Sequence, residues 1–172
     1  MNLKILWVMV VLVVGIHADA LAQSEREFTD KEEGFKLTLA GDWQPVSYTD
    51  AVGRARTEFV SKDRAEGLMK IARERLAGRA LTEKVRGDLE DLKLRYACLY
   101  TGQEAISGLL SGVRVALYYF EGGRWIVGTH YYFEDGDVVW MLRFTGRPGS
   151  AGMARETTDK IARTFCSSCN IP

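Results

Sequence analysis

Few residues in this chain combine reactive chemistry with useful spacing. His130 is the only histidine beyond His17. An imidazole titrates near neutral pH and could move a proton or hold a metal. As a base it would need a Ser, Cys or carboxylate beside it. The strand register worked out below gives it Val115 and Met141 instead. With Tyr119, Tyr132 and Arg143 it makes an amphipathic, aromatic seam, a candidate patch for a ligand or a partner. Glu134, Asp135 and Asp137 crowd one hairpin tip, and a divalent cation would relieve their repulsion. Three carboxylates fall short of the 6–8 oxygens that calcium takes. Cys166-Ser-Ser-Cys169 has the spacing of a redox pair, but it follows a helix, whereas a reactive CxxC usually opens one, where the dipole lowers the thiol pKa. With Cys98 there are three cysteines. In an oxidising compartment they allow a bridge from Cys98 to Cys166 or Cys169, or a local 166–169 bridge, with one thiol left over. One CxxC and a distant third Cys are too few soft ligands for a closed zinc site. No cofactor motif is present.

These residues must be positioned by the stretch from Val113 to Thr145. It reads as three strands joined at Gly122-Gly123 and Asp135-Gly136, pairs that suit primed hairpin turns. The register then sets Glu121 opposite Arg124 and Glu134 opposite Asp137. One face collects Arg114, Ala116, Tyr118, Phe120, Trp125, Val127, Thr129, Tyr131, Phe133, Val138, Trp140, Leu142 and Phe144. The other collects Val113, Val115, Leu117, Tyr119, Ile126, Gly128, His130, Tyr132, Val139, Met141 and Arg143. Neither face alternates with water-loving residues as a half-wet sheet should. Both are therefore expected to be covered by helices. Trp43, Trp125 and Trp140 read as packing residues.

The start of the chain reads as an export signal: Lys4, an apolar run from Ile5 to Ile16, then small-x-small cleavage sites at Ala18-Asp19-Ala20 and Ala20-Leu21-Ala22. The run is too short for an ordinary membrane span. Cleavage is expected after Ala22, leaving residues 23–172 as one domain in the periplasm or outside the cell, with no transmembrane segment. The whole chain carries 23 basic and 23 acidic residues. That balance gives no electrostatic case for nucleic acid or an anionic membrane.

Elsewhere the pattern gives a short strand near Phe28 and another over 34–39, a turn at 40–43, and a loop or single helical turn over 44–55. Strands follow at 56–61 and 68–76, with 62–67 as their connection. Residues 82–99 form an amphipathic helix with Val85, Leu89, Leu92, Tyr96 and Leu99 as its stripe and Thr82 as N-cap. A strand at 103–107 precedes the meander. A second helix runs to about Phe165, with Ser150 suited to cap it and Met153, Thr157, Ile161, Ala162 and Phe165 on one side.

Gly34-Phe35-Lys36-Leu37-Thr38-Leu39 followed by Asp42-Trp43, the helix at 82–99, the late meander and the closing Ile161-Ala162-Arg163-Thr164-Phe165-Cys166 together resemble the Mog1/PsbP-like family. The resemblance covers about residues 27–168. It implies an α+β fold in which an antiparallel sheet is covered by helices on both faces, an α/β/α sandwich without a shared active site. It implies an accessory or binding protein with a protein or envelope partner, as among photosystem extrinsic subunits, a small-GTPase partner and exported bacterial proteins. The expected function is thus a non-enzymatic binding domain. The alternative is a small-ligand carrier or enzyme working through the His130/Arg143 seam.

Overall fold

The computed structural model describes residues 25–53, 55–96, 99–167 and 169. The proposed export signal and Cys98 lie outside them. Strands β1 (Arg26–Asp30) and β2 (Phe35–Leu39) form an antiparallel hairpin of their own. Seven further strands build one antiparallel sheet: β3 (Trp43–Thr49), β4 (Ala55–Ser61), β5 (Asp63–Arg75), β6 (Leu99–Ser107), β7 (Ser111–Glu121), β8 (Arg124–Asp135) and β9 (Val138–Gly146). Their spatial order is β3-β4-β5-β9-β8-β7-β6. Helix α1 (Leu81–Arg95) connects β5 to β6. A 3₁₀ turn at Ala151–Met153 and helix α2 (Arg155–Arg163) follow β9.

Both sheet faces are covered, and each covering layer explains one apolar cluster. Phe133, Tyr131, Trp140, Leu142 and Phe144 pack under β2 and α2, against Phe35, Leu37, Ile161 and Phe165. Val115, Leu117, Tyr119, Tyr132, Val139 and Met141 pack under α1, against Val85 and Leu89. The two faces read from the sequence are those of the structure. One layer is a helix alone; the other is a helix helped by the β1–β2 hairpin.

Several boundaries differ from the sequence reading. Residues 44–49 are not loop, since β3 runs through Pro45. Pro lacks a donor, and a sheet tolerates it on an edge strand, which β3 is. The connection at 62–67 shrinks to Lys62, which takes a positive φ of 60° between β4 and β5. Strand β6 begins at Leu99 rather than at 103. Helix α1 starts after Ala80, which has no side-chain cap, so Thr82 lies inside the first turn. It stops at Tyr96, whose N–H donates to the Leu92 carbonyl. Ser150 does not cap with its side chain; its hydroxyl donates to the Glu66 carbonyl and ties the loop after β9 to β5.

The second hairpin turn sits one residue later than expected. Asp135 pairs with Val138, leaving Gly136 and Asp137 as the turn. Gly136 has φ +62°, and Asp137 is not among the positive-φ residues. Positive φ at the first turn residue alone is the type II′ pattern, which wants Gly there. Centring the turn on Asp135-Gly136 would have put Asp135 at positive φ. At the first hairpin Gly122 and Gly123 are both positive, at 57° and 80°, as type I′ requires.

Candidate functional site

The shifted turn changes the partners along β8 and β9. His130 now stands between Val115 on β7 and Arg143 on β9. His130, Tyr132 and Arg143 belong to a polar cluster completed by α1. Arg143 lies 3.5 Å from Asp88 of α1. Lys84, also on α1, donates to Asp88 at 2.7 Å and reaches Glu74 of β5 at 2.7 Å. Burial pulls the Lys84 pKa down, but hydrogen bonds to Asp88 and Glu74 outweigh it and the net shift is upward. Tyr132 is fully buried, its hydroxyl facing Asp88 outside hydrogen-bond geometry. Its pKa rises, chiefly from burial. His130 is also buried. Burial first, then the Arg143 guanidinium, lowers its pKa to about 3, against the opposing Asp88 carboxylate. The imidazole is thus neutral at physiological pH. Tyr119 sits apart from this group, stacked on Tyr96 at 4.2 Å where α1 ends. Sequence reading missed Lys84 and Asp88 because both lie off the apolar stripe of α1. Only the way α1 lies across the sheet turns them inward.

A second polar network lies on the opposite face. Arg114 of β7 reaches Glu104 of β6 at 2.5 Å and Asp159 of α2 at 3.1 Å. The Tyr131 hydroxyl donates to Asp159 at 2.6 Å, and its oxygen lies 2.9 Å from the Thr158 hydroxyl. Arg155 closes the set, 2.8 Å from Glu104 and 3.3 Å from Asp159. Arg114, Tyr131, Thr158 and Asp159 are all buried. This network docks α2 on the sheet and was not foreseen. Its one sequence signal was Arg114, a charge on an otherwise apolar face.

The hairpin carboxylates do not converge. Among the described residues no group of three or more His, Cys, Asp or Glu side chains could hold a metal ion. Asp135 instead accepts a hydrogen bond from Ser167 at 2.7 Å. Cys166 and Cys169 form the local disulfide. Its strand-like end is anchored to β2, since Lys36 and Cys166 exchange two backbone hydrogen bonds.

The structure adds a surface that the sequence reading had placed in the core. Down β8, the cover of α2 and the β1–β2 hairpin thins toward the Gly122-Gly123 turn. Phe133 and Tyr131 are fully buried and Val127 is half-buried, whereas Trp125 is 36% exposed. Tyr118, Phe120 and Tyr100 beside it are exposed by 37%, 44% and 65%. The rings form one cluster. Tyr118 stacks on Trp125 at 4.6 Å with parallel planes, Phe120 meets Trp125 edge-on at 5.4 Å, and Tyr100 lies 6.3 Å from it. Trp140, by contrast, is core.

With this geometry the chain matches solved structures. Mog1p, the Ran-binding protein of Saccharomyces cerevisiae, superposes with TM-score 0.62 at 8% identity over 84% of this chain and 96% of that one. Cyanobacterial PsbP (CyanoP) from Synechocystis sp. PCC 6803 gives 0.57 at 11% over 87% and 95%. The fold is Mog1/PsbP-like. A Bacteroides thetaiotaomicron protein gives 0.56 at 16% identity over 86% of this chain, which spans only 50% of that longer one. No family model and no curated protein matches the sequence. The Mog1/PsbP-like likeness therefore rests on backbone geometry, at identities that speak for the fold alone. Among the described residues no helix is long and apolar enough to cross a membrane.

Proposed function

We propose that this Mog1/PsbP-like chain is an exported, non-catalytic binding domain that engages a protein partner through the exposed ring cluster of Tyr100, Tyr118, Phe120 and Trp125. That cluster carries the proposal. Four neighbouring aromatic rings left open on one sheet face are costly to keep in water, and aromatic side chains dominate the energetic centres of protein interfaces. Tyr118 and Trp125 already cover each other's faces. The balanced charge of the chain disfavours nucleic acid. Mog1p, of the same fold, is a Ran-binding protein, which is in keeping with a protein partner. Export rests on residues 1–22. The buried His130 of the seam lies under α1, which contributes Asp88 and Lys84 to the same cluster.

The test is capture from envelope extract by the chain from Gln23 on, compared with a Tyr100→Ser, Phe120→Ser double variant. Both side chains are exposed, so the fold should survive, and an unchanged melting curve checks this. A partner enriched by the parent should fall about ten-fold on the variant, as for the loss of central interface residues. Equal recovery on both baits removes the ring cluster from consideration. Mass analysis of the exported protein should find Gln23 at its start.

A further inference from the structure

We infer that the notch between the ends of β5 and β8 is a binding site for a monocarboxylate carried on an apolar body. It does not rest on the ring-cluster reading. The notch exists because β9 is shorter than its neighbours. It ends at Gly146, paired with Val127, so Arg124, Trp125 and Ile126 of β8 have β7 on one side and no strand on the other. On the far wall, β5 pairs with β9 only from Leu68 onward. Residues 63–67 therefore overshoot, held by the N–H of Arg147 donating to the Ala65 carbonyl at 2.9 Å. Two protruding hairpins thus flank a cleft of about 470 Å³. That is within the roughly 300–1,000 Å³ usual for small-ligand sites.

Its lining divides by chemistry. Leu68, Tyr119, Trp125 and Ile126 are its apolar members; Arg64, Arg124 and Arg147 are the cationic residues that line the same cleft. Arg64 is already held by Glu58 and Arg147 by Glu66, yet each side chain is 62% exposed. A guanidinium has five N–H donors, and a carboxylate partner uses two at most. Both therefore keep donors for a second anion. Arg124 makes no ion pair among the described residues, which leaves its donors open to a ligand. Glu121, opposite it across the hairpin, also lines the cleft. Its charge opposes a second negative charge on the ligand, which favours a monocarboxylate over a phosphate dianion. The open edge of β8 offers unpaired backbone groups to an extended segment. The carboxylate could thus be the free end of a peptide or that of a small acid.

The probes are N-acetyl-L-phenylalanine and its amide, followed by the tetrapeptide Ala-Ala-Ala-Phe with a free or amidated end. They are titrated into the ¹⁵N-labelled chain from Gln23 on, which contains every described element. The readout is the indole N–H signal of Trp125 together with backbone signals of 124–126. The acid should shift these signals saturably and the amide should not. Arg124→Gln should weaken the acid about ten-fold, the scale of one charge-assisted hydrogen bond. A tetrapeptide that binds more tightly than the acetylated residue identifies a chain terminus as the source; equal affinity identifies the small acid. Identical shifts with acid and amide, no shift with any probe at millimolar concentration, or binding indifferent to Arg124→Gln would each overturn the site. None of these outcomes depends on Tyr100 or Phe120, so failure here and failure of the ring cluster are distinguishable.

Discussion

Acid should destabilise this protein through one imidazole. His130 is 7% exposed, flanked by Val115 and Arg143 and roofed by α1. Burial and the Arg143 guanidinium lower its pKa from 6.5 to about 3. In the unfolded chain the ring takes up a proton near its ordinary value; in the folded protein it resists until about pH 3. Between those values the unfolded state binds more protons, so stability rises with pH. The contribution is fully present above 6.5 and is lost as pH falls toward 3. At 1.36 kcal/mol per unit, acidifying to pH 4 should remove about 3 kcal/mol through this residue alone. Typical domains have only about 5–15 kcal/mol in total. The assay is urea unfolding at pH 7 and pH 4 for the parent and for His130→Leu. The charged and titrating groups that face the ring, Arg143 on β9, Asp88 and Lys84 on α1 and Tyr132 on β8, are common to both proteins. Their contributions largely cancel in the comparison. The variant should lose about 3 kcal/mol less than the parent over that interval. Parallel losses would mean that α1 does not desolvate the imidazole, and the described packing of α1 on this face would be wrong.

Tyr131→Phe should cost about 1–3 kcal/mol in chemical unfolding, because the buried Asp159 loses a donor and Thr158 loses its hydroxyl neighbour while the ring packing stays. Arg114→Met should cost more, about 3–5 kcal/mol, since it leaves Asp159 buried with less compensation; a smaller loss than Tyr131→Phe would contradict the network. Ala at Gly123 meets no atom within 4 Å, so only its φ of +80° resists. The expected loss of about 1–2 kcal/mol is purely conformational, and Asn there should recover part of it. Reducing the Cys166–Cys169 bridge opens a loop of four residues, which predicts a loss near 2 kcal/mol by the loop-entropy relation; denaturant midpoints with and without dithiothreitol measure it.

Strand direction and side-chain parity were readable because a strand repeats every two residues. Even the misplaced second turn left the faces intact. A two-residue turn always pairs residue i with i+3, so sliding it by one residue moves each partner by two and keeps its face. What changed was the neighbour: Met141 gave way to Arg143 opposite His130. The edge strand β3 was lost from the reading because Pro45 and nearby polar groups mimic a loop, and edge position is a property of the finished sheet. The carboxylates at 134, 135 and 137 looked like a cluster in sequence, yet the later turn and the Ser167 contact draw Asp135 aside.

By itself the sequence determined a two-sided antiparallel meander and its apolar faces, since these depend on periodicities of two and 3.6 that survive small errors of position; the Mog1/PsbP-like sandwich was what the resemblance of its short motifs implied. The tertiary structure alone decided which parts of those faces are sealed. Helix α2 and the β1–β2 hairpin are too short to reach the Gly122-Gly123 end, so Trp125 is exposed where Trp140 is buried. Likewise β9 stops short of β5 and β8, and that difference in length opens the cleft lined by Arg64, Arg124 and Arg147. Coverage and length mismatch arise between elements distant in sequence, and no local pattern encodes them.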